Sequence, residues 1–212
     1  MVHYELGHLT QSDAQDVVGP IQDDEALFLF SLVRVLRCRN ILEIGGLDGY
    51  SARNFLAAMG EGGTLFTVDL SPVPQLGENH VVIVKDCAAI EPADIRHATL
   101  DLLFFDAHAY DAQLELFMRL TSAGAVDEHT VLALHDTNLH PHKFVPWSYE
   151  TEGGFVHQAV ERRLVNELKS LGYDAFSLHP PMSRHQESLP YRHGLTVMQK
   201  YRALSVTPLE PA

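Results

Sequence analysis

Along this chain, short apolar runs alternate with stretches whose apolar positions recur every three or four residues. The runs read as strands over Ile41–Ile44, Thr64–Asp69, His80–Val84, Leu100–Asp106, Thr130–His135, Asp174–Leu178 and Gly194–Gln199. Helical spacing marks Ser51–Met59, Asp111–Thr121 and Gly154–Leu171, with a weaker helical turn around Ile90–His97. Upstream, Asp23-Asp24-Glu25 places acid at a helix start. Ala26, Leu27, Leu29, Phe30, Leu32, Val33, Val35 and Leu36 then form a broad apolar face. The middle strands are apolar almost throughout rather than alternating, the pattern of a sheet covered by helices on both faces.

Strand–helix alternation of this kind predicts a doubly wound α/β fold. The sheet is expected to be mostly parallel and seven-stranded. Its last two strands follow the longest helix closely and can pair antiparallel at one edge. Residues 1–22, polar and ending in Gly19-Pro20, read as an arm or short helix; 23–205 form the folded domain, and 206–212 a tail. Two segments, Thr137–Thr151 and Pro180–Tyr191, carry Pro, His and aromatic residues without a clear period. Long loops of this type often serve as lids, with His140, His142, Trp147 and Tyr149 as lid or interface candidates.

Length and composition narrow the reading. A chain of 212 residues, 46% hydrophobic and 20% charged, suits a single globular domain. Fifteen Lys+Arg against 28 Asp+Glu leave a net charge of −13, which argues against a nucleic-acid partner and for a small neutral or cationic substrate. Cys38 and Cys87 are too few for a disulfide scaffold and lie in or beside apolar runs, as buried free thiols do. The start Met1-Val2-His3-Tyr4-Glu5 is not that of a signal peptide, and no apolar run approaches the length of a membrane span. The expectation is a cytoplasmic protein without membrane contact, and the apolar Ala26–Leu36 helix makes a homodimer plausible.

In a doubly wound sheet, ligands bind beyond the carboxyl ends of the strands, where strand order reverses. The first strand ends Glu43-Ile44-Gly45-Gly46-Leu47-Asp48-Gly49-Tyr50-Ser51. Glycines at 45, 46 and 49 allow a tight turn and close ligand approach, and Ser51 is placed to cap the following helix. No GxxxxGK[ST] phosphate loop is present. Asp69 closes the second strand, where a carboxylate can accept both hydroxyls of a ribose. Asp86-Cys87 follow the third strand, Asp106-Ala107-His108 the fourth, and His135-Asp136 the fifth. Two carboxylates in one cleft repel, and a divalent cation relieves that; Asp106, Asp136 and His135 or His108 would suit magnesium or manganese. The alternative is that Asp136 caps a turn and Asp106 contacts a cofactor without metal. A nicotinamide dehydrogenase is disfavoured, because Gly45-Gly46-x-x-Gly49 departs from GxGxxG and no YxxxK pair occurs.

Glu43-x-Gly45-x-x-x-Gly49-x-Ser51, Asp69 and Asp86 resemble the cofactor signature of class I S-adenosylmethionine-dependent methyltransferases. The segments Asp101–Tyr110 and Leu134–Thr137 are similar to the catechol-type, macrolide-sugar and cephalosporin-hydroxylase-like group of small-molecule enzymes. The resemblance spans roughly residues 25 to 200 and implies a Rossmann-like methyltransferase fold. It implies that Gly45, Gly46, Gly49 and Ser51 line the methionine part of S-adenosylmethionine, with Glu43 buttressing the turn. Asp69 would hold the ribose, and Asp86 and Cys87 would flank the adenine. Asp106 and Asp136 would coordinate a divalent ion that binds a substrate hydroxyl, and His108 or His135 would take its proton. The chain departs from the catechol-type pattern where Ala109 replaces a lysine base and Thr137 an asparagine, and the turn from Asp106 to His108 is one residue shorter than in many relatives. These departures keep two alternatives open: a catalytically altered nucleoside-binding relative, and a metal-dependent hydroxylase-like or hydrolytic protein on the same fold.

Overall fold

The computed structural model describes residues 21, 23–137, 148–151, 154–157, 160–178 and 194–200. The N-terminal arm (apart from Ile21), the 206–212 tail, the segment 180–191, and His140, His142 and Trp147 lie outside the described residues. Helix α1 spans Asp23–Leu36 and strand β1 Asn40–Ile44. Then come α2 (Tyr50–Met59), β2 (Thr64–Asp69), β3 (His80–Val84), a 3-10 turn at Cys87–Ala89, β4 (Leu102–Phe105) and α3 (Tyr110–Ser122). Strand β5 is Val131–Leu134, and β6 (Ser148–Thr151) and β7 (Gly154–His157) form a separate antiparallel pair that includes the backbone of Tyr149. Helix α4 (Val160–Ser170), β8 (Tyr173–Leu178) and β9 (Leu195–Lys200) complete the series.

The main sheet has seven strands in the order β3-β2-β1-β4-β5-β9-β8. Strands β1 to β5 run parallel, while β9 is antiparallel to both β5 and β8. The opposing strand is therefore the penultimate one, and β8 forms the edge. Because side chains alternate along a strand, each apolar strand feeds two cores. Leu42, Ile44, Leu103 and Phe105 face α3 and α4, where Leu116, Phe117, Leu164 and Leu168 meet them. Ile41, Leu65, Leu102 and Phe104 face α1 and α2, against Leu29, Val33, Ala52 and Phe55. Each fully buried large side chain contributes about 1.5–3 kcal/mol, so both faces must be apolar for the sheet to stay covered.

Two elements differ from the sequence reading. The expected helix from Gly154 to Leu171 begins only at Val160; residues 154–157 pair instead with 148–151. The reason is local: Tyr149-Glu150-Thr151 and Phe155-Val156-His157 are aromatic and β-branched runs flanking a Gly153-Gly154 pair, which is hairpin chemistry. The helical turn expected around Ile90–His97 is a chain of single turns, and Arg96 and His97 both stand at positive φ (56° and 54°), which no helix accommodates. Asp94 folds back there, accepting the Glu91 N–H and pairing with Lys85 at 2.8 Å.

From β1 the chain moves outward to β2 and β3, then returns to the other side of β1 to build β4 and β5. The strand order therefore reverses between β1 and β4, and the crevice beyond their carboxyl ends is where this architecture receives ligands. The link from β2 to β3, residues 70–79, contains no helix; Val73 and Leu76 of that link lie over the glycines that follow β1. Among the described residues, no helix is long and apolar enough to cross a membrane.

Candidate functional site

The turn after β1 is held from two sides. Gly45 (φ +96°) donates its N–H to Val68 O at 2.8 Å, and Gly49 (φ +73°) opens α2 in the left-handed region that glycine occupies without strain. A Cβ on Gly45 would stand 2.5 Å from the main-chain oxygen of Asp106, so the turns after β1 and β4 are in backbone contact. The Asp106 N–H also donates to Ile44 O at 2.8 Å. Gly46 is equally confined: a Cβ there would meet Thr67 and stand 2.8 Å from Val73.

Asp69 closes this turn as well as β2. Its Oδ2 accepts the N–H groups of Gly46 and Leu47 at 2.9 and 3.0 Å, and its Oδ1 accepts that of Ser71 at 2.9 Å. A carboxylate has about four lone-pair positions, so roughly one remains on Oδ1. Ser51 does not cap α2 as its position suggested. Gly49 is the N-cap, α2 begins without a side-chain cap, and the Ser51 hydroxyl donates to Glu43 Oε1. Glu43, fully buried, also accepts from Thr67 Oγ1 at 2.6 Å. The Leu76 N–H donates to His80 Nδ1, which leaves His80 Nε2–H to donate to Thr67 at 2.9 Å. A buried chain thus runs from the 70–79 link through His80 and Thr67 to Glu43 and the first turn of α2. Burial pushes the Glu43 pKa up to about 7 against the pull of the two hydroxyls, and lowers that of His80.

After β3, Asp86 caps the 3-10 turn, accepting the Ala88 N–H at 2.9 Å, and Cys87 is buried. The Arg119 guanidinium of α3 donates to Ala88 O and Ile90 O and holds this turn against the helix. Burial pushes the Cys87 thiol up to about 11 and that of Cys38 up to about 12.

Beyond β4 and β5 lies a dense cluster of acids and imidazoles. His135 is almost sealed from solvent, with Nδ1 3.0 Å from Asp106 and Nε2 3.2 Å from Glu25 of α1. His108 sits at positive φ (54°), with Nε2 3.1 Å from Asp136 Oδ2 and Nδ1 3.0 Å from Glu161 of α4. Burial works against charge on His108, but hydrogen bonds to Asp136 and Glu161 outweigh it and lift its pKa to about 11. His135 is likewise held well above the ordinary imidazole value: burial opposes its charge, and Asp136 and Asp106 prevail. Burial raises the Asp106 carboxyl, while His135 draws it down.

Donor atoms of Asp106, His108 and Asp136 all lie within 4.8 Å of one another, a spacing at which one ion could touch all three. His135 stands behind them, bonded to Asp106. The glycine turn and Asp69 therefore border one side of the crevice, and Asp106, His108, His135 and Asp136 the other, with Asp86 and Cys87 at the end of β3. Sequence reasoning missed Glu25 and Glu161, the outer partners of the two imidazoles. Both open the first turns of helices, where acid is ordinary, so neither carried a distinguishing signal.

Comparison with known proteins agrees with this fold. A family model described as O-methyltransferase matches residues 3–89, a span that contains the glycine turn, Asp69, Asp86 and Cys87. No curated protein matches the chain. Among solved structures, the O-methyltransferase TomG from Streptomyces achromogenes, involved in tomaymycin synthesis and determined in complex with SAM, superposes with a TM-score of 0.61. It is 20% identical, over 92% of this chain and 90% of that one. An O-methyltransferase from Bacillus cereus in complex with SAH gives 0.58 at 18% identity, over 89% and 86%. An SAH-bound methyltransferase from Podospora anserina gives 0.59 at 16% identity, over 84% and 78%. At such identities the likeness is one of fold, and the fold is the Rossmann-like methyltransferase fold.

Proposed function

We propose that this chain transfers the methyl group of S-adenosylmethionine to a hydroxyl of a small molecule, with a divalent cation at Asp106, His108 and Asp136. The observation that carries the reading is the backbone contact between Gly45 and Asp106, which joins the nucleoside-type crevice and the carboxylate cluster into one cleft. The match of residues 3–89 to the O-methyltransferase model supports the cofactor half.

The residues suit the cofactor. Asp69 keeps a lone pair for a ribose hydroxyl, and the first turn of α2, free of a side-chain cap, offers main-chain N–H groups to an anionic substituent. Glu43, by holding Ser51 and Thr67, keeps the turn rigid beneath it. The donor set also suits a cation: two carboxylates and one imidazole converge, an oxygen-rich set compatible with magnesium or manganese. When bound, such an ion lowers the pKa of a hydroxyl beside it. The chain's own groups do the rest. His135, tied at both ring nitrogens, holds Asp106 in place. Asp136 stands at the centre of the cluster, 3.1 Å from His108 Nε2 and 3.5 Å from His135 Nδ1. Methyl transfer is an in-line displacement, so alignment of acceptor oxygen and methyl in this cleft supplies most of the rate.

Calorimetry with S-adenosylmethionine and NAD, followed by labelled methyl transfer to a panel of hydroxylated acceptors with and without chelator, tests the proposal. Binding of the first compound only, with transfer that chelator suppresses, is expected. Asp136→Ala is expected to abolish turnover while leaving cofactor affinity within about threefold, since the residue lies across the cleft from the glycine turn. Binding without transfer to any acceptor would favour a nucleoside-binding relative, a reading that Ala109, standing where a lysine base is expected, supports. The net charge of −13 supports a neutral or cationic acceptor and no nucleic acid. The exposed Leu27, Val35 and Leu36 of α1 support a homodimer, checked by light scattering.

A further inference from the structure

We infer that Glu161 is a positioning residue that makes His108 the third cation donor beside Asp106 and Asp136; the inference rests on the cation part of the proposal above. Glu161 is fully buried, and its two oxygens turn to the same residue. Oε1 accepts the main-chain N–H of His108 at 2.9 Å, and Oε2 lies 3.0 Å from His108 Nδ1. Gln113 of α3, also fully buried, steadies Oε1 from 3.4 Å. A carboxylate that grips both the backbone and the ring of one residue does two things. It keeps His108 in the left-handed backbone conformation that the short turn after β4 requires, and it holds a proton on Nδ1. The ring atom an ion would take, in exchange for its proton, is Nε2, which points to Asp136 where the three donors converge. A carboxylate on the far nitrogen of a histidine is the usual outer support of a metal-bound imidazole, and its loss typically weakens metal binding ten- to hundredfold.

Among the described residues, the neighbours offer no rival third donor. Ala109 has no donor atom, and the Thr137 hydroxyl is turned to Thr196 of β9 at 2.7 Å. His135 spans Asp106 and Glu25, with a ring nitrogen on each. Glu161 stands at the start of α4, 53 residues from His108, so the helix that follows β7 sets the geometry of a turn built much earlier in the chain.

The test uses manganese as the probe on the full-length protein, read by titration and by pulsed electron paramagnetic resonance, which detects a directly bound nitrogen. Wild type is expected to bind manganese with nitrogen coupling. His108→Ala should lose that coupling, and Glu161→Gln, which presents an amide to Nδ1 and favours the wrong tautomer, should lose it too. Both variants should bind manganese about ten- to hundredfold more weakly, with the metal-free melting temperature of Glu161→Gln near wild type. Unchanged affinity and coupling in Glu161→Gln would overturn the inference, as would a wild-type spectrum without bound nitrogen. Should Glu161→Gln fail to fold, nitrogen-15 spectra of the wild-type protein loaded with magnesium decide: a ring proton of His108 on Nδ1 supports the inference, and one on Nε2 overturns it. Parallel titration with S-adenosylmethionine separates the layers. Cofactor binding without manganese binding would remove the cation and this inference while leaving methyl transfer standing. Manganese binding with nitrogen coupling but no cofactor binding would do the reverse.

Discussion

Glu43 is a carboxylate where water does not reach, and its pKa near 7 makes it a stability element with a definite sign. Because the folded chain binds its proton more tightly than the unfolded chain, stability falls as pH rises from about 4.5 to about 7 and is level above that. At about 1.4 kcal/mol per unit the swing is roughly 3 kcal/mol. Glu43→Gln mimics the protonated form: its carbonyl can accept from Thr67 and its amide can donate to Ser51. The variant should flatten this slope in denaturant titrations between pH 5 and 7; an undiminished slope would assign the swing to another group. The two cysteines give a simpler check. Buried, with thiols raised to about 11 and 12, Cys87 and Cys38 should resist a thiol reagent near pH 8 in the folded chain and react together on unfolding.

At the level of elements, Asp101 deserves comparison with the site acids because it does the same kind of work at the opposite end of the sheet. Its Oδ2 accepts the N–H groups of Arg39 and Asn40 at 2.6 and 2.8 Å, locking the entry of β1 beside that of β4. Asp101→Ala should cost about 1–3 kcal/mol in unfolding measurements, since two main-chain donors lose a charged acceptor. Cofactor affinity should barely change, because the crevice lies at the other strand ends. A large loss of affinity would mean the strand register reaches the site. The succession of strands along the chain and their two-sided burial were legible in the sequence because the runs around Ile41, Leu65, Leu102 and Val131 are apolar on both alternations. The β6–β7 hairpin was not, because Phe155 and Val156 fit a helical stripe continuing into Leu164 as well as they fit a strand. The glycine turn was legible from spacing alone, whereas the role of Ser51 was not: a hydroxyl two residues into a helix can cap it or turn inward, and only the buried Glu43 decides.

The molecule as a whole carries 15 basic against 28 acidic side chains, and four of the acids converge on one cleft with two imidazoles as counter-charge. Self-repulsion of that size is screened by salt. The melting temperature should therefore rise as sodium chloride is raised from about 0.02 to about 0.3 M, and a fall would show that the ion pairs outweigh the repulsion. The inner members of the cluster, Asp106, His108, His135 and Asp136, were legible because strand ends mark them. Glu25 and Glu161 reach it from 110 and 53 residues away, a distance that no local pattern reports. The cleft is also stitched to the end of the described chain: Thr137 donates its N–H to Gly194 O at 3.2 Å, and its hydroxyl meets Thr196. Proteins emerge from the ribosome N-terminus first. A nascent chain can thus assemble the glycine turn while β9 is still inside the exit tunnel, but the His135–Thr137 corner gains its brace only once residues 194–196 have cleared it. The nucleoside half of the pocket is therefore ready before the acidic half.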